Sequence, residues 1–149
     1  MNTSAHTIVL VAALALSSSS AATAQTPLPN DSLEIGRRYV RWFLTGQVDS
    51  LAAHMSERTL SALGGRDELR RRMLEVAARA GETREVVEER FAWRNGQRQY
   101  WHAVNTTALG EPLLVRIVIS PSGEMTGLGL GPMSQSPPVD SGGPPIRKP

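Results

Sequence analysis

Acid–base chemistry in this 149-residue chain would have to come from very few side chains. Two polar residues, Glu89 and His102, interrupt runs that otherwise alternate between apolar and polar positions. A carboxylate and an imidazole set in apolar walls shift each other's pKa and can serve as acid and base. The same two residues could equally form a buried, mutually satisfied pair, or stand at an open sheet end. Other chemistries lack their residues. His6, His54 and His102 are too scattered for a metal-ligand cluster, and there is no cysteine nucleophile. No Gly-x-Ser-x-Gly elbow, Ser-x-x-Lys pair or phosphate-binding glycine loop occurs. The glycines at 127, 129 and 131 follow a strand with no helix after it, which fits a close-packed or bulged edge strand better than a nucleotide site. No cofactor and no metal is expected.

The pair depends on a sheet to bring it together. Asn95-Gly96 between two alternating runs is a type I′ hairpin signal, joining strands over Arg84–Arg94 and Gln97–Thr107. Further turns at Leu109–Pro112 and Pro121-Ser122-Gly123 predict strands over Leu113–Ile119 and Met125–Leu130. The two-residue turn sets Arg94 opposite Gln97, Phe91 opposite Tyr100, Glu89 opposite His102 and Val87 opposite Val104. A turn centred on Gly110-Glu111 would set Val104 opposite Ile117 and His102 opposite Ile119, and the last turn sets Ile117 opposite Leu128. One face then collects Val87, Phe91, Trp93, Tyr100, Val104, Leu113, Val115, Ile117, Ile119, Leu128 and Leu130, with Glu89 and His102 among them. The other carries Val86, Glu88, Arg90, Gln99, Trp101, Ala103, Asn105, Leu114, Arg116 and Val118. It is expected to be mostly wet, with Trp101 exposed.

Helices precede the sheet. The first begins near Asp31, with Glu34 placed to complete the cap, and ends at Gly46. Leu33, Gly36, Val40, Phe43 and Leu44 make one apolar stripe, and Ile35, Tyr39 and Trp42 a second beside it. Val48–Met55 reads as a short helix with Asp49 as cap, and Ser56 caps a further turn through Leu63. Another helix spans Arg66–Ala80 with an inner stripe of Leu69, Met73, Val76, Ala77 and Ala80, stopped by Gly81. Arg70, Arg71 and Arg72 point in three directions, as on a solvated face.

Composition bounds the compartment. Ile8–Leu16 is an apolar run followed by serines and Ala22-Thr23-Ala24, a small-x-small site, so residues 1–24 read as a signal peptide. Nine apolar residues cannot cross about 30 Å of hydrocarbon, so no stable membrane insertion is expected after cleavage. Residues 25–30 read as an extended leader, 31–131 as the folded domain and 132–149 as a Pro/Gly-rich disordered tail. Without cysteine there are no disulfides, which fits a bacterial periplasm or extracellular location. Net charge is +2, from fifteen arginines and one lysine against fourteen acids. These charges interleave, and no basic stripe carries stacking aromatics, which argues against nucleic acid as a partner.

Helices followed by a meander of antiparallel strands is the order of an α+β roll: N-terminal helices packed on one face of a curved four-stranded antiparallel sheet. The chain resembles the nuclear-transport-factor-two-like superfamily. Within it, the likeness is to a small bacterial domain of unassigned role often found in front of serine hydrolases. The matching residues are the aromatic first helix ending at Gly46 before Asp49 and Leu51, and Gly81 closing the last helix. The run Leu113–Ile119, the Ser-Gly turn, Met125–Leu128 and Pro132 complete the match. The resemblance implies a cone-shaped roll that supplies no catalytic residues of its own. The first expectation is therefore an exported, non-catalytic binding or accessory module. Its ligand would be small and apolar, held between the first helix and the sheet by Tyr39, Trp42, Phe91, Trp93 and Tyr100. Its partner would otherwise be a cell-envelope protein, or a second copy in a homodimer, met through Trp101, Val118 and Leu114. The alternative is a small lyase or isomerase, similar to ketosteroid isomerase-like or polyketide cyclase-like relatives, using Glu89 and His102.

Overall fold

The computed structural model describes residues 32–141 of the chain. The expected signal peptide, the leader, the Asp31 cap and residues 142–149 lie outside the described residues. Four helices, α1 (Ser32–Leu44), α2 (Val48–Ala53), α3 (Glu57–Ala62) and α4 (Gly65–Ala80), precede four strands. The strands β1 (Thr83–Arg94), β2 (Gln97–Thr106), β3 (Leu113–Ile119) and β4 (Met125–Pro132) form one antiparallel sheet in the order β1-β2-β3-β4. The architecture is α+β, with the helices packed on the sheet.

The helices sit where capping and periodicity put them. Gly46 adopts φ 73°, and the Gln47 amide reaches back to the Trp42 carbonyl at 2.8 Å, closing the end of α1. Ser56 caps α3, its hydroxyl accepting from the Thr59 amide at 3.3 Å. Asp49 is not a cap: it lies in the first turn of α2 and binds Arg66 Nη1 at 2.8 Å. Arg70, Arg71 and Arg72 pair with Asp67, Glu68 and Glu75 on the solvated side of α4.

The Asn95-Gly96 turn fixes the first hairpin as expected, with both residues at positive φ. Glu89 pairs with His102 and Phe91 with Tyr100. A register shift between Val86 and Glu88 then puts Val86, not Val87, opposite Val104. Val87 is consequently 41% exposed and does not join the core. The β2–β3 register also differs from expectation. Val104 pairs with Leu113 and His102 with Val115, four residues from the expected partners. The connection does not close as a tight turn because the Thr107 and Ala108 amides bond the Glu82 and Ala80 carbonyls beside α4. Pro112 has no amide to offer the ladder. A shift of four preserves the face of every β3 side chain, so apart from Val86 and Val87 at the β1 bulge the sides of the strands stay as expected.

The main core lies between the helices and the inner face. Tyr39, Val40, Leu51, Leu69, Tyr100, Val115, Ile117 and Met125 are among its best-buried members. α1 approaches so closely at Gly36 that a Cβ there would stand 2.4 Å from the Tyr100 ring. The ring lies flat under the helix backbone, and only glycine fits above it.

The outer face is not wet. Ala92, Trp101, Ala103 and Leu114 form a second small core, with Met133 packed on it. Trp101 is 1% exposed, not an exposed tryptophan, and Leu114 is also buried. The guanidiniums of Arg90 and Arg116 lie over the Trp101 ring, 4.5 and 6.0 Å from its centroid. The segment expected to be disordered from Pro132 onward is tied down through Asp140. β4 runs to Pro132, a 3-10 turn follows at Met133–Gln135, and the Met133 amide bonds the Pro112 carbonyl. The Asp140 amide donates to the Trp93 carbonyl at 2.7 Å, while its carboxylate accepts from the Asn95 and Gly96 amides at 2.9 and 2.8 Å. The free amides of a type I′ turn give an acidic side chain a fixed seat, which composition does not reveal.

Candidate functional site

Glu89 and His102 are cross-strand neighbours, but they do not touch as a pair. The Tyr100 hydroxyl stands between them, donating to Glu89 Oε1 and lying 3.2 Å from His102 Nδ1. From α1, the Arg37 guanidinium grips the carboxylate with Nε at 2.7 Å from Oε1 and Nη2 at 2.7 Å from Oε2. Its Nη1 binds Glu34 at 2.8 Å on the solvent side. Both oxygens of Glu89 are thus committed, in the fork-to-fork geometry that suits guanidinium and carboxylate best.

The electrostatics follow from these contacts. Arg37 holds the Glu89 carboxyl below its ordinary value of 4.5, against the opposing effect of burial, with the Tyr100 hydrogen bond assisting. Burial, then the Glu89 charge, pushes the Tyr100 phenol well above its ordinary range. Burial pushes the His102 imidazole below its ordinary 6.5, while the Glu89 charge pulls the other way. At neutral pH the cluster is an anionic Glu89, a protonated Tyr100 and a neutral His102. Tyr100 has one proton, and it goes to the carboxylate, which can only accept. His102 then meets the phenol oxygen through Nδ1–H, leaving Nε2 bare. The cluster orders protons well. It does not leave Glu89 free to take one.

Sequence reasoning missed Arg37 by placing it among the interleaved surface charges with Glu34. A signal was present: Arg37 follows Leu33 by four and precedes Val40 by three, so a cation interrupts the inner stripe of α1.

The expected pocket residues do not converge. Tyr39 and Trp42 pack with His54 at the far end of α1, with Trp42 and His54 centroids 4.8 Å apart. The Tyr39 hydroxyl is held by the Gly123 carbonyl at 2.5 Å. Phe91 packs edge-on against Tyr100, with Arg98 stacked 4.1 Å above its ring. Trp93 lies farther along the hairpin, with a buried indole N–H that has no hydrogen-bond partner. The space between α1 and the sheet at Gly36 is filled by Tyr100 itself. Among the expected interface residues, Trp101 and Leu114 are buried within the chain, and Val118 is half-buried.

Concave space lies elsewhere. A groove of about 520 Å³ opens between the last turn of α4, the β2–β3 connection and the adjoining ends of β3 and β4. Val76, Ala80, Leu109, Leu113, Leu130 and Pro132 give it apolar walls, with Arg79 and Glu111 as its charged lining residues. Its size falls within the range of small-molecule sites. Periodicity places Val76 on the inner stripe of α4 and Leu130 on the inner face of the sheet. Here they are only partly covered, because the loop after β2 is drawn to α4 and does not close over β3.

Among the described residues no three His, Cys, Asp or Glu side chains gather to hold a metal ion, and no helix is long and apolar enough to cross a membrane. Comparison with family models, with curated proteins and with solved structures finds no match for this chain.

Proposed function

We propose that this chain is an exported, non-catalytic binding or accessory module of the nuclear-transport-factor-two-like type, taking a small apolar ligand in the groove beside α4. The observation that carries the reading is the groove itself: apolar walls on three elements, in a domain where Tyr100 fills the space between α1 and the sheet at Gly36. The helix-then-meander order supports the superfamily assignment, and the apolar run with its small-x-small site supports export.

The lyase or isomerase alternative has less behind it. A general base must reach its substrate proton with a free lone pair, and a pKa near the working pH serves best. Glu89 has both oxygens engaged and a depressed pKa. A protein partner or homodimer on the sheet's outer face also loses its anchors, since Trp101 and Leu114 are already covered.

The test uses an uncharged apolar probe, N-phenyl-1-naphthylamine, whose emission rises on transfer from water to an apolar site. Saturable binding is expected, weakened at least tenfold by Val76→Trp, which fills the groove from its α4 wall. Glu89→Gln should leave the affinity within about twofold. Binding that survives Val76→Trp but disappears in a folded Glu89→Gln variant would move the site to the cluster and revive the enzyme reading.

A further inference from the structure

The geometry points to a second site, on the opposite face of the sheet: a phosphate-binding site formed by Arg90, Arg94 and Arg116 around the buried Trp101. This site is independent of the groove and of any ligand held there.

The register places its parts. Arg90, Trp101, Arg116 and Gly129 are successive cross-strand partners, one from each strand, in a single row across the outer face. Arg94 follows Arg90 by four residues on β1 and so faces the same side. Trp101 forms the floor, with Arg90 at 4.5 Å and Arg116 at 6.0 Å from its ring centroid. Gly129 lets the row close: a Cβ there would stand 2.6 Å from Arg116 Nη2, so the guanidinium lies over bare backbone. Arg90 and Arg116 rest on the Trp101 ring, unlike Arg70, Arg71 and Arg72 of α4, which pair with acids on the solvated side.

Among the described residues only Arg90 of the three has a carboxylate partner. Glu88 is in ion contact with Arg90, yet the approach is out of line and Arg90 Nε remains buried without a hydrogen bond. Both oxygens of Asp140, the acid nearest the hairpin turn, are occupied by turn amides. Among the described residues no carboxylate pairs with Arg94 or Arg116. Burial pushes the Arg116 guanidinium below its ordinary range, and the Arg94 charge adds to that effect. Partly buried cations without a partner are costly, and the usual resolution is an anion that bridges them. Three guanidiniums stand against Glu88 on the row and Asp140 at the hairpin turn, so the row keeps a net positive charge. A phosphate monoester, with about −1.5 to −2 charge at neutral pH and three acceptor oxygens, can bridge more than one guanidinium where a single carboxylate would not. Planar forked donors from both sides of the row also suit its oxygens. Trp101 is covered and offers no face to a base or sugar, so recognition is confined to the phosphate group.

The experiment titrates inorganic phosphate into the full chain, ¹⁵N-labelled, at constant ionic strength with chloride as the balancing anion. The expected result is saturable movement of the Trp101 indole and Arg116 Nε–H signals. Arg116→Gln and, separately, Arg94→Gln should each weaken binding at least tenfold, while Arg72→Gln on the solvated face of α4 leaves it unchanged. Two variants guard against one failing to fold, and the amide spectrum reports that directly. Linear, unsaturable shifts, or equal affinity in folded Arg116→Gln and Arg94→Gln chains, would overturn the site. A second arm identifies the source of the phosphate. Sedimentation with phosphatidic acid vesicles, sensitive to Arg116→Gln, marks a lipid headgroup; binding of inorganic phosphate without vesicle capture marks a free monoester.

Discussion

The two faces of the sheet carry similar side chains and treat their charge in opposite ways. Against the inner face, Arg37 from α1 joins Glu89, Tyr100 and His102 in a set where both Glu89 oxygens and the Tyr100 hydroxyl are answered by a neighbour. On the outer face Arg90 and Arg116 lie over Trp101, Arg94 follows on the same side of β1, and Glu88 is the acid paired with the row. Both rows place an aromatic ring beside arginine, and both are largely hidden from water. The difference lies in who supplies the counter-charge. Inside, Arg37 and Glu89 answer each other, as a scaffold would require; outside, among the described residues, only Arg90 of the row has a carboxylate partner, as the proposed receiver would require. A titratable pair in an apolar wall is therefore a poor guide to chemistry until its partners are known, and an unmatched one is the better pointer.

That contrast can be broken at either end. The largest expected effect is from Tyr100→Ala, which removes a fully buried ring that supports α1 at Gly36 and bonds Glu89. Chemical denaturation should show a loss of about 3–5 kcal/mol. Glu89→Gln comes next, at about 2 kcal/mol, since it leaves Arg37 without its forked partner. The figure is held below that for a fully buried pair because the Arg37 side chain is 40% exposed.

Acidification probes the same cluster. In the unfolded chain an imidazole gains its proton near 6.5 and a carboxyl near 4.5, while the folded His102 and Glu89 both titrate lower. The unfolded state therefore holds more protons, and stability falls as pH drops, first below 6.5 through His102 and then below 4.5 through Glu89. Glu89→Gln should flatten the lower part of that profile. The smallest effect belongs to the outer row: Arg116→Gln should change stability by no more than about 0.5 kcal/mol, in either direction, because it relieves repulsion while giving up contact with Trp101. A large loss there would mean that the row is scaffold too, and the contrast would fail.

Much of this arrangement was legible in the sequence. Asn95-Gly96 defined the first hairpin well enough to place Glu89 opposite His102, because two-residue turns leave no freedom of register. The face of each β3 residue survived even where the β2–β3 register did not, since the slip was an even number of residues, whereas the bulge at Val86 and Val87 was not legible. What could not be read were interactions between distant elements. The Arg37–Glu89 bond joins residues 52 apart, and alternation within a strand says nothing about which helix side chain will descend on it. Trp101 reads as exposed because its strand neighbours are polar, yet the Arg90 and Arg116 guanidiniums lie over it and Met133 packs on its cluster. The Asp140 bonds join residues 44 and 45 apart, and a proline- and glycine-rich segment carries no periodicity to announce them.

The central claim is that the Glu89 cluster is scaffold and that binding happens beside α4. Mapping N-phenyl-1-naphthylamine onto the backbone amides of the wild-type chain tests it most directly. The account expects saturable shifts centred on Val76, Leu109, Leu113 and Leu130, with the amides of Glu89, Tyr100 and His102 still. Shifts centred on Glu89, Tyr100 and His102, with the α4 groove unmoved, would contradict it.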